Sequence, residues 1–498
     1  MSGSQQEHIL MLPFMAQGHL IPFLQLARQI HHASGFTITI ASTSLNVAYL
    51  SSVIAKDPVL ASAQSRHQIC LAAFPFNGSD FGLPPNTENT EALSLSQVLH
   101  LLHASATLEV PCRQLVSEIT AKEGKPPICI ISDVFHGWAN CVAESFQTVN
   151  VTFCTCGAYG IAAYVSVWQN LPHRSVGDDE FRIPGFPDSY RFHRSQMHGF
   201  LQGANGHDPW SRFNRPQLSL SLGSFGWLCN TAEEIEPLGM GVLRKYTKLP
   251  VWAAGPLLPA GLLTNSKTLS QHSGREAAIS PQKCLEWLDL HPHGSVLYIS
   301  FGSQNTINPT QMMELAKGLE DTGRPFIWVI RPPIGFDIKG ELRAEWLPEG
   351  FEERMVERKQ GLLVRGWAPQ LEILSHKSTA AFLSHCGWNS AMESLSQGVP
   401  IISWPLAAEQ AFNSKMMMEE MGVCIELSRG MQSPIAKEEV KRTIELVMDN
   451  KKGKGEEIKR KAGKIGELIK AALTEEGGDP KGSSLQAMDD FIATLVSR

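Results

Sequence analysis

The sequence predicts an α/β protein made of two halves, each a parallel sheet flanked by helices. Short apolar strand patterns alternate with amphipathic helix patterns along both halves, as parallel βαβ units require. At 498 residues the chain exceeds the size at which a single core keeps growing, so two domains of roughly 250 and 200 residues are expected. Near the middle, from 256 to about 280, the periodicity lapses into a polar stretch containing Ser and Gly, which reads as an interdomain linker.

In the first half, strands are expected near 8–14, 36–42, 69–74, 127–132, 149–154 and 225–229. His8–Phe14 is a short apolar strand, Met15–Gly18 a small-residue turn and Leu20–Ile30 an amphipathic helix. That pattern puts His19 at the turn where a βα unit opens its ligand crevice. Imidazole meets the pKa requirement of a general base without tuning, helix capping being the plainer alternative. Pro127–Asp133 is an almost continuous apolar strand ending on an acid, followed by the helix-like run Val134–Glu144. Strand C-termini in parallel sheets face the crevice, so Asp133 is the expected partner that fixes the tautomer of His19. His136 is a nearby competitor that reads as a surface or pocket-lining residue. The stretch Ser145–Pro172 has no charged residue, but Gln147, Asn150, Thr152, Thr155 and Gln169 interrupt it before it could span a membrane. A buried strand and helix are expected there. Irregular insertions at 75–90 and 174–208 have the length of functional loops.

The second half opens with Cys284–Asp289 and the strand pattern Ser295–Ser303, with further strands near 325–330, 361–365, 379–383, 399–403 and 423–427. Thr379–Leu383 feeds into a junction of small and polar residues, His385, Cys386, Gly387, Trp388, Asn389 and Ser390. A helix N-terminus there offers unpaired N–H groups and the positive end of its dipole to a diphosphate, with His385, Asn389 and Ser390 as extra donors. Gly387 lets backbone approach ligand. Trp404 reads as core, His376 as a solvated helix-end residue, and His385-Cys386 as no metal fragment, since no second Cys or His cluster lies at ligand spacing.

Composition narrows the function classes. A net charge of −6 argues against a nucleic-acid partner, and the Lys-rich stretch Lys451–Lys464 is interleaved with Glu456 and Glu457, the pattern of a solvated helix face. Ten cysteines without a Cys-x-x-Cys motif suggest reduced thiols. Met1–Glu7 is polar and the apolar run after it is broken by Pro13 and Gln17, so no secretory segment is expected, and the triplets at Asn77 and Asn150 read as chance matches to a glycosylation site.

The 44 residues from Trp367 to Gln410 resemble, in length, order and spacing, the plant secondary-product signature box of family 1 UDP-glycosyltransferases. The resemblance implies a fold of two Rossmann-like domains facing across a cleft, known as GT-B. It divides the chain into an acceptor-binding domain over 1–255, the linker over 256–280, a UDP-sugar-binding domain over 281–475, and a C-terminal helix over 476–498 that returns to the first domain. It implies that Trp367 stacks on uracil, that the backbone of Ala368 pairs with the base, and that Gln370 and Glu393 hold the ribose. His385, Asn389 and Ser390 would contact the phosphates, with Gly18, Ser303 and Trp388 also on the UDP-sugar, and Glu409 and Gln410 would hold the sugar hydroxyls. Many members have Asp where this chain has Glu409. Gln at the last position goes with glucose as donor, which implies UDP-glucose. His19 and Asp133 match the family's catalytic His and its Asp.

The expected reaction is therefore inverting transfer of glucose from UDP-glucose to a hydroxyl of a flavonoid, other phenolic, terpenoid or hormone, by a cytoplasmic monomer without a membrane-spanning segment. Phe14, Phe135, Met197 and Phe200 are the expected lining of the acceptor pocket. No cofactor is expected, and no metal, because the chain contains no Asp-x-Asp triplet. Two other classes compete with this reading. A dinucleotide-binding oxidoreductase would want Gly-x-Gly-x-x-Gly after the first strand, whereas residues 13–24 contain a single Gly. A small-molecule binder could keep the fold but would not need His19 with Asp133, and another UDP-sugar could replace UDP-glucose.

Overall fold

In the computed structural model, residues 6–56, 69–175, 177–259, 261–263, 278–449, 453–475 and 481–498 are described. Most of the expected linker, residues 451–452 of the Lys-rich stretch and 476–480 lie outside the described residues.

His8-Ile-Leu-Met-Leu12 is apolar on both faces, and it forms β1 (His8–Leu12), a strand buried on both sides. Ile9 and Met11 enter one core while Leu10 and Leu12 enter the other. Around it lie β2 (Thr37–Thr43), β3 (Ile69–Phe74), β4 (Cys129–Asp133), β5 (Val149–Cys154), β6 (Gly226–Cys229) and β7 (Val251–Ala253). The sheet order is β3-β2-β1-β4-β5-β6-β7, and every pair is parallel. The three-residue β7 is an addition to the expected strands, too short to show periodicity in sequence.

The second sheet repeats the scheme with β8 (Val296–Ser300), β9 (Phe326–Ile330), β10 (Gly361–Arg365), β11 (Thr379–Ser384), β12 (Ile401–Ser403) and β13 (Cys424–Glu426). Its order is β10-β9-β8-β11-β12-β13, again all parallel. Leu297 and Ile299 face one core, Val296 and Tyr298 the other. In both sheets the chain moves outward from the first strand in one direction and then resumes on its other side, the doubly wound order. The switch points lie between β1 and β4 and between β8 and β11, where such folds bind ligands beyond the strand C-termini.

Two local differences from expectation bear on function. The helix Gln17–Ser34 begins before His19, which stands in its first turn: Ala16 is the extended residue ahead of it, and the His19 N–H donates to the Ala16 carbonyl at 2.9 Å. The run after Asp133 stays a turn, with the helix delayed to Ala139–Ser145. There Asp133 Oδ1 accepts the Phe135 N–H at 3.1 Å and the Asp133 carbonyl accepts that of His136 at 2.9 Å, so the side chain competes with helix formation.

The chain divides into two compact units. The first comprises Met1–Phe192, Gly199–Leu257 and Ala472–Arg498, the second His193–His198 and Leu258–Ala471. The helix Ser483–Val496 belongs to the first unit because Met488, Phe491 and Leu495, at helical spacing, enter the core below β1. Trp252 fastens it: Nε1 donates to Asp490 Oδ2 at 2.7 Å and the indole meets Phe491 edge-on at 5.2 Å. Trp404 is fully buried against Phe301, as a core residue. His376 is not merely solvated, since Nε2 lies 3.4 Å from Asp289. Asn150 is buried in β5, so its triplet is closed to glycosylation. Among the described residues no helix is long and apolar enough to cross a membrane.

Candidate active site

In the first unit the chemistry gathers at the β1–β4 switch point. Leu12 and Ser132 are register partners, so the residues following β1 and ending β4 emerge side by side. His19 Nδ1 lies 2.6 Å from Asp133 Oδ2, with the imidazole about one quarter exposed at 23% and the carboxylate at 1%. A carboxylate can only accept, so Nδ1 carries the proton and Nε2 is the basic atom. Thr155, just after β5, brings Oγ1 to 3.3 Å from the same Nδ1. His136 is no surface residue: it is buried, its Nδ1 lies 3.2 Å from the Leu12 carbonyl, and burial lowers its pKa, which keeps the ring neutral.

Aromatic rings flank His19. Phe14 meets it edge-on at 5.5 Å and Phe135 lies at 5.9 Å, the two phenyl rings being 5.4 Å apart. Tyr164, from the helix Ala158–Asn170, adds an edge contact to Phe135 at 6.4 Å. Phe200 stacks instead on Trp210 at 4.8 Å. Met197 lies in the segment 193–198, which groups with the second unit and there lines a small recess with Pro405, Ala407 and Ala411. Neither Thr155 nor Tyr164 was singled out as functional in sequence, since both lie in an uncharged stretch that reads as core.

In the second unit the corresponding switch point assembles the residues of the signature box. β8 and β11 run in register to Ser300 and Ser384, so the loop Gly302–Ser303 sits beside His385. The approach is close: a Cβ on Gly302 would lie 2.6 Å from His385 Nε2, and one on Gly387 would lie 2.5 Å from it. Gly302 also has φ +78, a conformation that disfavours other residues. Burial first, then the Arg331 guanidinium, pushes the His385 pKa down to about 4 against the pull of the Ser300 carbonyl. His385 therefore presents a neutral ring at this junction. Gly387 caps the helix Trp388–Ser396, whose first turn presents Asn389 and Ser390; Trp388 is 2% exposed, its indole turned into the core.

Gln370 connects the ribose candidates. Its Nε2 donates to Glu393 Oε2 at 2.6 Å and to Ser390 Oγ at 3.1 Å, while Tyr298, unsuspected in sequence, donates to its Oε1 at 3.1 Å. Burial raises the Glu393 carboxyl to about 7 although the Gln370 hydrogen bond opposes it. Trp367 is half-buried, its carbonyl accepting the Ala278 N–H at 2.8 Å, and Ala368 packs against the core holding Tyr298 and Phe382.

Glu409 and Gln410 stand at the start of the helix Gln410–Met416, after Ala408 in the left-handed region at φ +52. Gln410 Oε1 accepts the N–H groups of Leu406 and Ala407, each at 2.9 Å, which identifies that atom as the oxygen and leaves Nε2 to donate. Asn413 Nδ2 lies 3.1 Å from both Glu409 Oε1 and the Cys386 carbonyl, tying the loop that holds Glu409 to the one that holds His385. Gly18 is the exposed second residue of its helix. Among the described residues no group of three His, Cys, Asp or Glu could hold a metal ion.

Residues 252–460 match the family model of UDP-glucoronosyl and UDP-glucosyl transferase. The chain is 40% identical over 491 residues to UDP-glycosyltransferase 92A1 of Arabidopsis thaliana, covering 97% of this chain and 96% of that one. It is 42% identical over 489 residues to crocetin glucosyltransferase 3 of Crocus sativus, covering 95% and 96%. Among solved structures it is similar to Glycyrrhiza uralensis UGT73P12 complexed with glycyrrhetinic acid 3-O-monoglucuronide, with a TM-score of 0.82, 25% identity and coverage of 99% and 96%.

Proposed function

Because this chain belongs to the plant family 1 UDP-glycosyltransferases, with the GT-B fold, we propose that it moves glucose from UDP-glucose to a hydroxyl of a lipophilic small molecule, with inversion at the anomeric carbon. The observation that carries this reading is the 2.6 Å pairing of His19 Nδ1 with Asp133 Oδ2 among aromatic rings. A binding protein has no use for an oriented base.

The acceptor hydroxyl gives its proton to His19 Nε2 as its oxygen attacks the anomeric carbon, and Asp133 stabilises the imidazolium that forms. The bond from the anomeric carbon to the phosphate oxygen breaks with its electron pair leaving on UDP. A donor linked α to phosphate then yields a β-glucoside. His385, Asn389, Ser390 and the N–H groups of their helix meet the departing charge as fixed dipoles. Trp367 and Ala368 hold the base, Gln370 and Glu393 the ribose, and Glu409 and Gln410 the sugar. The flanking Phe14, Phe135 and Tyr164 favour an apolar acceptor body. Glucose is supported by Gln410 and by a relative named as a glucosyltransferase.

The test is UDP release with UDP-glucose and a panel of phenolic and terpenoid alcohols, with the product's anomeric configuration read by proton NMR. A β-glucoside is expected. An α-linked product, or no turnover with any UDP-sugar, would overturn the reading.

A further inference from the structure

Arg331 directly follows β9, the neighbour of β8, and its guanidinium reaches across to the loop beyond β8. Nη1 donates to the Ser303 carbonyl at 2.8 Å and Nη2 to the Gly302 carbonyl at 2.5 Å. Two successive carbonyls are thus turned toward one cation by a planar fork that lysine could not reproduce. The loop so held is the one packed on His385, with no room for a Cβ at Gly302.

This arrangement answers a question of charge. A diphosphate leaving group carries several negative charges and gains more as its bond to the sugar breaks, yet His385 is neutral at physiological pH. Helix N–H groups and hydroxyls supply dipoles, not a full charge. Arg331 is the charge that acts on His385, and its guanidinium is only partly exposed, where screening by solvent is reduced.

We propose that Arg331 is a positioning residue for the UDP leaving group, holding the Gly302–Ser303 loop by its two carbonyls and supplying positive charge behind the diphosphate site. This rests on the transferase reading above. A merely structural arginine would be felt alike by diphosphate and nucleoside, whereas charge behind the leaving group is felt by the diphosphate alone.

Calorimetric titration of UDP and of uridine into the full-length wild type, Arg331→Gln and Arg331→Lys tests it, with melting temperatures recorded in parallel. Arg331→Gln should weaken UDP binding roughly 10- to 30-fold while changing uridine affinity less than about twofold. Arg331→Lys, which keeps the charge and loses the fork, should fall between and still bind UDP better than Arg331→Gln. Raising salt from 0.05 to 0.5 M should weaken UDP more in the wild type than in Arg331→Gln. Equal losses for UDP and uridine would reduce Arg331 to a loop anchor and overturn the proposal, as would unchanged UDP affinity in Arg331→Gln. Should Arg331→Gln fail to fold, a Lys variant that binds UDP no better than uridine would overturn it as well. A wild type that does not bind UDP would strike the transferase reading itself.

Discussion

His19 and Asp133 lie 114 positions apart in the chain, yet His19 Nδ1 and Asp133 Oδ2 are 2.6 Å apart because β1 and β4 are neighbours in register. The carboxylate is anchored in turn by the Phe135 N–H at 3.1 Å. The pair is thus oriented before any substrate arrives, and its consequences can be measured one residue at a time.

Replacing His19 by Ala removes the proposed base and leaves the second unit, where the nucleotide is proposed to bind, untouched. Turnover with hydroxyl acceptors should drop about 10²- to 10⁴-fold, while UDP affinity by calorimetry stays within twofold. Comparable turnover in mutant and wild type would sink the assignment.

Asp133→Asn keeps shape and volume but presents an amide to Nδ1. If the amide oxygen stays on the Phe135 N–H, the amide nitrogen faces the imidazole and favours the wrong tautomer. Turnover should fall, by less than in His19→Ala, with little change in the KM for UDP-glucose. Full activity would mean that another group orients His19.

Donor preference should rest on the Nε2 of Gln410, since its oxygen is occupied by Leu406 and Ala407. UDP-glucose and UDP-galactose differ at C4, and an unsatisfied buried donor costs about 1–3 kcal/mol, so competition between equal concentrations should favour glucose roughly 5- to 150-fold. Gln410→Glu retains an acceptor for the two N–H groups and loses the donor, and the preference should collapse. Equal use of both sugars by the wild type would refute the role.

Gly387→Ala tests the packing around His385. At φ −60 alanine suffers no backbone strain, but its Cβ would stand 2.5 Å from Nε2 and must displace the ring. Overpacking of this kind costs about 1–3 kcal/mol, and UDP affinity should fall by roughly the corresponding 5- to 150-fold. Undiminished affinity would show that His385 does not meet the nucleotide from this position.

Glu236 gives the fold a pH dependence. It is 2% exposed, and burial raises its carboxyl from 4.5 to about 7, although hydrogen bonds from the Ala158 and Tyr159 N–H groups oppose the shift. Between about pH 4.5 and 7 the folded state keeps a proton that the unfolded chain has lost, so this contribution to stability declines as pH rises through that window. The decline is on the order of 3 kcal/mol, and Glu236→Gln should remove it. Urea unfolding of both proteins at pH 5 and pH 7.5 provides the check: equal pH slopes would contradict the assignment.

What is periodic or contiguous was legible in the order of residues alone. Unbroken apolar runs such as His8–Leu12 and Val296–Ser300 announce strands buried on both faces, and their alternation with helical patterns selects two parallel sheets, because burial and period are local properties of the chain. The run Trp367–Gln410 was legible because its residues lie along one βαβ segment. Tertiary structure alone decided what depends on distant chain meeting chain. It put His19 inside a helix, Thr155 beside its Nδ1, Met197 in the second unit, and Arg331 behind a loop nearly 30 residues before it. It also decided charge and orientation, neutralising His385 by burial and turning Gln410 into a donor, since desolvation and hydrogen-bond occupancy arise only when neighbours from other elements close around a side chain.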